Sequence, residues 1–112
     1  MRTVLVLTLA VCVAACSTPA ARRADPPLFA AETTKSVTAF SGCFIDFYQS
    51  KQMRPTFTPR TNGGSIEFNV GTWASTYTTA LIDIDDLGDR RRIQFFAQGR
   101  DKELTDNINA CL

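Results

Sequence analysis

The 112-residue chain contains no histidine. Without an imidazole it has no Ser-His or Cys-His nucleophile pair, and it has no zinc site that uses a histidine ligand. Cysteine is scarce too, with four residues: Cys12, Cys16, Cys43 and Cys111. At most two of these belong to the folded domain, and two thiols alone make a poor metal site. We therefore expect no metal and no catalytic cysteine.

A long hydrophobic run is also missing. The N-terminal apolar stretch covers residues 4–13, interrupted by Thr8, and is shorter than the roughly 20 apolar residues that a membrane-spanning helix needs. Arg2 is the only charge before Arg22, and small Ala14 and Ala15 follow the stretch. A basic start, a short apolar run and small residues are typical of a cleaved export signal.

Residues Val13-Ala14-Ala15-Cys16 resemble the lipobox of bacterial lipoproteins. The resemblance covers only this segment. It implies that residues 1–15 are a lipoprotein signal peptide, and that Cys16 carries a thioether-linked diacylglycerol and an acyl chain such as palmitate on the new amino terminus. A single chain anchors a protein marginally, whereas two or three anchor it stably. An ordinary secretory signal with a chance cysteine is the alternative.

The same resemblance implies a location. In lipoproteins of two-membrane bacteria, an Asp after the lipidated cysteine commonly retains the protein in the inner membrane, and this chain has Ser17 there. The expected location is therefore the cell envelope, on the outer membrane facing the periplasm. No cofactor is expected beyond the acyl chains on Cys16.

The mature chain has no net side-chain charge. Removal of residues 1–15 takes away Arg2 and leaves 97 residues with 11 basic and 11 acidic side chains. A neutral balance argues against nucleic acid as a partner and against a polybasic membrane binder. We expect a lipidated flexible tether over residues 16–31, rich in Ala and Pro, and one small domain over residues 32–112. Arg22 and Arg23 in the tether are interpreted as solvated charges, with headgroup contact as the alternative.

Two segments show helical periodicity. Apolar residues recur at spacings of three and four over residues 33–51, and again over residues 101–112, where Asp101 is the candidate N-cap. An aromatic stripe of this kind usually packs into a core, although it could line a ligand pocket. The stripe residues are Val37, Phe40, Cys43, Phe44, Phe47 and Tyr48 in the first helix and Leu104, Ile108, Cys111 and Leu112 in the second.

Between the helices the period changes to two, which predicts strands at residues 56–61, 65–70, 76–85 and 91–98. Pro59 marks the first as an edge strand, and Asn62-Gly63-Gly64 predicts a hairpin turn. The inward positions are Ile66, Phe68, Val70, Ala80, Ile82, Ile84, Ile93, Phe95 and Ala97.

The predicted fold is α+β: an N-terminal helix, a four-stranded antiparallel sheet and a C-terminal helix, with both helices on one sheet face. Cys12 leaves with the signal and Cys16 carries lipid, so Cys43 and Cys111 remain in an oxidising compartment and predict a disulfide between the two helices. Two buried free thiols are the alternative.

The acidic run of Asp83, Asp85, Asp86 and Asp89 has part of the spacing of a calcium loop. Two ligand positions are missing, and residues 90–92 are three arginines, so a charged hairpin end is the preferred interpretation. Asp83 and Glu67 could form a carboxylate pair on the outer sheet face, but an open face offers neither burial nor a cleft for catalysis. We expect that the protein is not an enzyme.

Four apolar residues stand out on or near the outer sheet face: Trp73, Tyr77, Leu81 and Phe96. They are a candidate partner-binding patch, unless the N-terminal segment covers them. The predicted function is a small lipid-anchored envelope lipoprotein with a protein-binding or structural role. The alternative is a carrier of a small ligand, or an inhibitor of an envelope receptor or enzyme. A deep apolar cavity would favour the carrier.

Overall fold

The computed structural model describes residues 18–52, 54–71 and 73–112. Cys12, Cys16 and the whole lipobox lie outside the described residues. In chain order the elements are α1 (Pro19–Arg23), β1 (Phe29–Thr33), α2 (Val37–Asp46), β2 (Thr56–Arg60), β3 (Gly63–Gly71), β4 (Thr76–Asp86), β5 (Arg91–Ala97) and α3 (Lys102–Cys111).

The strands form one antiparallel sheet in the order β1-β5-β4-β3-β2. The predicted α+β class and antiparallel sheet are confirmed, but the prediction of four strands is wrong. The additional strand, β1, pairs with β5 from Phe29 opposite Phe95 to Thr33 opposite Arg91. Its sequence, Phe-Ala-Ala-Glu-Thr, does not alternate between apolar and polar residues. The strand therefore forms only by pairing with β5, which is more than 50 residues away in the chain. The predicted boundary at residue 31 therefore falls inside β1.

The prediction that a helix opens the domain is also wrong, because α1 and β1 both precede α2. The helix predicted over residues 33–51 is shorter at each end. Ser36 is the N-cap of α2, and its Oγ accepts a hydrogen bond from Ala39 N at 3.0 Å. After Asp46 the α-helical hydrogen-bond pattern gives way to bonds that reach three residues back. Tyr48 N donates to Ile45 O at 2.9 Å. Phe47, predicted on the buried stripe, is exposed there, whereas Tyr48 is buried.

Helix α3 begins as predicted. The Asp101 side chain accepts from Leu104 N at 3.1 Å, which satisfies one of the unpaired amides of the first turn. Leu104, Ile108 and Cys111 are buried.

Both α2 and α3 pack on the same sheet face. Except for Val70, the predicted inward residues of β3, β4 and β5 form one core with helix side chains that include Phe40 and Ile108, and Ala97 packs partly buried against it. Tyr48 adds an edge contact to Phe68, with ring centroids 5.0 Å apart. The predicted disulfide is confirmed: Cys43 on α2 and Cys111 on α3 are bonded, with their Cα atoms 5.8 Å apart.

Candidate functional site

The N-terminal segment packs on part of the outer face of the sheet, against β4 and β5. Thr18 caps α1 by accepting from Ala21 N at 3.1 Å, and Pro19 stands at the first helical position, where its missing N–H costs nothing. A five-residue helix is too short to persist alone. Tertiary contacts stabilise it: Arg22 is buried, and its Nε donates to Thr78 O on β4 at 3.0 Å. Residues 19–23, interpreted from sequence as tether, thus belong to the fold.

Arg23 makes the second contact between α1 and the sheet. Its Nε lies 2.7 Å from Asp83 Oδ2 and its Nη2 lies 2.9 Å from Asp83 Oδ1. The same Nη2 donates to Ser65 Oγ at 3.0 Å, and Ser65 Oγ donates to Asp83 Oδ1 at 2.7 Å. In the strand register Asp83 stands opposite Ser65, while Glu67 stands opposite Leu81. The carboxylate pair considered from sequence is therefore not directly opposed.

Asp83 is held as a carboxylate. Burial by itself would raise the pKa of Asp83, but hydrogen bonds from Arg23 and Ser65 and the charges of Arg23 and Arg60 outweigh burial and lower it. The hydrogen bond to Asp83 likewise raises the pKa of Arg23. We call this group of Arg23, Asp83 and Ser65 the N-terminal clasp. Sequence reasoning missed it because Arg23 and Asp83 are 60 residues apart and nothing local links them.

Arginines also neutralise the rest of the acidic run. Asp85 lies 2.9 Å from Arg60 Nη2 and 3.1 Å from Arg92 Nη2, and Asp86 lies 3.3 Å from Arg91 Nη1. Gly88 N also donates to Asp86 Oδ1 at 3.0 Å. Within the described ranges, no group of three or more His, Cys, Asp or Glu side chains could hold a metal ion. The run is a charged hairpin end.

The four residues of the proposed patch do not form one exposed surface. Leu81 and Phe96 are direct cross-strand partners on the outer face, and they are 0 % and 6 % exposed. Helix α1 packs over β4 and β5, and its two arginines contact β4 on either side of Leu81, at Thr78 and Asp83. Trp73 and Tyr77 are 100 % and 46 % exposed.

A β-bulge moves Tyr77 to the opposite face from Leu81. The register shifts between Phe68 and Asn69, where Ala80 pairs with Phe68 and Thr78 pairs with Asn69, so β4 has one residue more than β3. Such an extra residue reverses the alternation of side chains beyond it.

Past the bulge, Tyr77 pairs with Val70. Val70 alternates with Phe68 and Ile66 along β3, which places Tyr77 on the face that carries the helices. The sequence pattern alone assigned it to the outer face because strict alternation was assumed along the whole strand.

A cleft of about 370 Å³ opens on the helix-bearing face, next to the bulge. Its volume is at the lower end of the range for small-molecule sites. It lies between the end of α2, the start of α3 and the ends of β3, β4 and β5. The apolar lining residues include Phe68, Ala80, Ala97 and Leu104, and the polar ones include Tyr48, Lys51, Thr79, Arg100, Asp101 and Glu103.

Tyr48 is the most buried polar group of this cleft. Asn107 Nδ2 donates to its hydroxyl oxygen at 3.0 Å, and Lys51 Nζ lies 5.5 Å from the ring centroid. Burial raises the pKa of Tyr48 despite the hydrogen bond from Asn107. The hydroxyl therefore stays protonated at neutral pH and can donate a hydrogen bond. Lys51 is paired with Glu103 across the mouth of the cleft, so the cleft has an apolar floor and a charged rim.

Comparison of the chain with protein-family models, with curated protein sequences and with solved structures gives no match. None of the helices in the described ranges has the length and apolar character needed to cross a membrane.

Proposed function

We propose that this chain is the precursor of a small lipoprotein of the cell envelope, anchored through acyl chains on Cys16. The docking of the N-terminal segment supports the proposal. Helix α1 begins at Pro19 and is clasped to the sheet, so only Ser17 and Thr18 separate it from Cys16. An acylated Cys16 would hold the folded domain at a bilayer. In a two-membrane bacterium, Ser17 favours the outer membrane.

The disulfide is consistent with export. Disulfides form and persist in oxidising compartments and are rare in the reducing cytosol. Here Cys43–Cys111 joins the two helices that cover the sheet, and it is the pairing expected after export through an N-terminal signal.

We further propose that the domain acts without catalysis, by binding or supporting another envelope component. Asp83, the one acidic side chain that is nearly fully buried among the described residues, is engaged by Arg23 and Ser65 and kept ionised. A general acid must carry a proton near working pH, and a carboxylate nucleophile must be free to reach substrate. In the N-terminal clasp, Asp83 instead stabilises the docking of α1 on the sheet.

The anchor is tested by mass spectrometry of the mature protein and by fractionation of the producing cells. The expected mature N-terminus is Cys16 with a diacylglycerol and an acyl chain, and the protein is expected in the membrane fraction. Cys16→Ser should release it, whereas Cys12→Ser, four residues earlier, should not. A mature protein without lipid on Cys16 would refute the anchor.

The binding role is tested by amine-reactive crosslinking in intact cells. Lys35, Lys51 and Lys102 are exposed and supply attachment points around the helix-bearing face. A discrete adduct with another envelope protein is expected for the lipidated chain and not for Cys16→Ser. If the lipidated chain forms no adduct at saturating reagent, the proposal of a protein partner is wrong.

The cleft favours a second candidate function, a carrier of a small ligand. Its apolar floor suits a compact apolar molecule, and an acidic group on that molecule would compete with Glu103 for Lys51 at the rim. Anilinonaphthalene sulfonate, which has this chemistry, is a suitable probe. Binding should raise its fluorescence, and Ala97→Phe, which fills the cleft, should abolish the rise. Ala30→Phe on exposed β1 is the matched control, and equal binding by all three proteins would exclude the cleft.

A further inference from the structure

The β3–β4 hairpin differs in charge from one end to the other. Residues 68–82, which include its connecting turn, contain no charged side chain. At the far end of β4, Asp83 pairs with Arg23 of α1, and Asp85 and Asp86 pair with arginines of β2 and β5. One end of the hairpin can therefore leave water without burying a charge, and the other cannot.

The uncharged end projects beyond the rest of the sheet. Pairing between β4 and β5 stops at Ala80 opposite Ala97, so residues 76–79 have a strand neighbour only on the β3 side. Trp73, in the turn, is fully exposed, and Tyr77 is half-exposed. Tryptophan and tyrosine are the residues enriched where a membrane meets water, because each has an apolar ring and a polar tip.

Helix α1 connects this end of the hairpin to the anchor. Cys16 is two residues from Thr18, which limits their Cα separation to about 7 Å. Thr18 O accepts from Arg22 N at 3.0 Å, one turn along the helix. Arg22 then contacts Thr78 O at 3.0 Å. Trp73 lies five positions before Thr78, at most about 18 Å along the chain.

Taking Cys16 lipidation from the proposed function, we infer that the β3–β4 hairpin lies in the interfacial layer of the bilayer, with Trp73 inserted among the lipid headgroups. A flexible tether would let the domain rotate freely above the membrane. The clasped α1 removes this freedom, so the anchored domain has one orientation: the uncharged hairpin end against lipid and the charged end away from it.

The contact should not depend on lipid charge. The hairpin brings no basic side chain, so zwitterionic phosphatidylcholine should suffice. Salt on the order of 1 M, which screens charges beyond about 3 Å, should leave the contact unchanged. Loss of contact at high salt would instead indicate headgroup binding by arginines and would overturn the inference.

The natural protein carries its own probe, since Trp73 is the only tryptophan in the chain. The lipidated protein is purified from membranes and reconstituted into phosphatidylcholine vesicles, with or without bromine near the top of the acyl chains. Bromine quenches indole on contact. We expect a blue-shifted emission and a clear loss of Trp73 fluorescence in the brominated vesicles.

The matched control moves the indole to the charged end. Leu87 lies in the β4–β5 turn and is 44 % exposed. The double variant Trp73→Phe with Leu87→Trp, lipidated in the same way, should show no quenching. Equal quenching of both proteins would mean that the domain has no fixed orientation. Circular dichroism verifies that the variant folds, and the measurement on the natural protein needs no substitution.

The outcomes separate the two proposals. A protein without diacylglycerol on Cys16 by mass spectrometry refutes the anchor and the inference together. A lipidated protein whose Trp73 stays unquenched refutes the inference alone. A photoreactive residue at position 73 in living cells is expected to crosslink to lipid. A discrete protein adduct there would show that the hairpin binds a protein partner and not the bilayer.

Discussion

Replacing Asp83 by Asn should destabilise the domain by breaking the clasp. The substitution keeps the shape of the side chain but removes its charge. The Asp83 side chain is 6 % exposed and accepts hydrogen bonds from Arg23 Nε, Arg23 Nη2 and Ser65 Oγ. An asparagine has one carbonyl oxygen, so it cannot accept from both Arg23 nitrogens in the same bidentate geometry.

The size of the destabilisation depends on the Arg23 charge, which loses its partner. Removing one partner of a buried ion pair costs about 3–5 kcal/mol when the other charge stays buried. The Arg23 side chain is 34 % exposed, so it can turn toward water and recover part of this energy. We therefore expect a loss of about 2–3 kcal/mol in the free energy of unfolding.

Urea denaturation followed by circular dichroism measures this loss, with both proteins carrying Cys16→Ser to keep them soluble. Asp85→Asn is the matched control on the same strand. Its side chain is 23 % exposed, and its partners Arg60 and Arg92 are 34 % and 48 % exposed. Exposed pairs contribute about 0–1 kcal/mol. Equal effects of the two substitutions would refute the clasp.

The effect of Asp83 should also depend on pH. Its pKa is lowered in the folded protein, so its ionised form stabilises the fold. This contribution is fully present above the unfolded pKa of about 4 and is lost as pH falls through the folded pKa. The stability difference between wild type and Asp83→Asn should therefore shrink between neutral pH and acid, and a difference independent of pH would contradict the assignment.

Two further predictions concern stability and use the same denaturation assay. Replacing Cys43 and Cys111 by Ala opens a loop of 68 residues and should cost up to about 4 kcal/mol; a loss below about 1 kcal/mol would mean that the unfolded chain is already restrained. Gly63→Ala should cost about 2 kcal/mol or more, because Gly63 has φ +141° and a Cβ there would lie 1.8 Å from Ile84 O. Gly42→Ala at an exposed position of α2, where nothing lies within 4 Å of the added Cβ, should instead stabilise by about 0.5–1 kcal/mol.

Local pattern was sufficient for most of the core. Alternation of apolar residues predicts β3, β4 and β5, and spacings of three and four predict α2 and α3, because these side chains make their contacts within one repeating element. The disulfide follows too, since Cys43 and Cys111 each lie on an apolar stripe. Pro59, which cannot donate a ladder hydrogen bond, predicts that β2 is an edge strand, and the strand order confirms this prediction.

Elements that depend on distant partners were not predictable. Strand β1 and helix α1 are short and lack a periodic pattern, and they form only where β5 and the outer sheet face provide hydrogen bonds. The bulge opposite Phe68 is likewise set by how two strands pair, and it decides which face Tyr77 occupies.

The sequence by itself thus determined the lipobox resemblance, the class of fold and the cysteine pair. Tertiary structure alone decided that α1 is clasped to the sheet over β4 and β5, that Leu81 and Phe96 are buried, and that Trp73 remains exposed at the uncharged end of the β3–β4 hairpin. The physical reason is that periodicity records which side of an element faces a core, whereas contacts between elements far apart in the chain leave no local pattern.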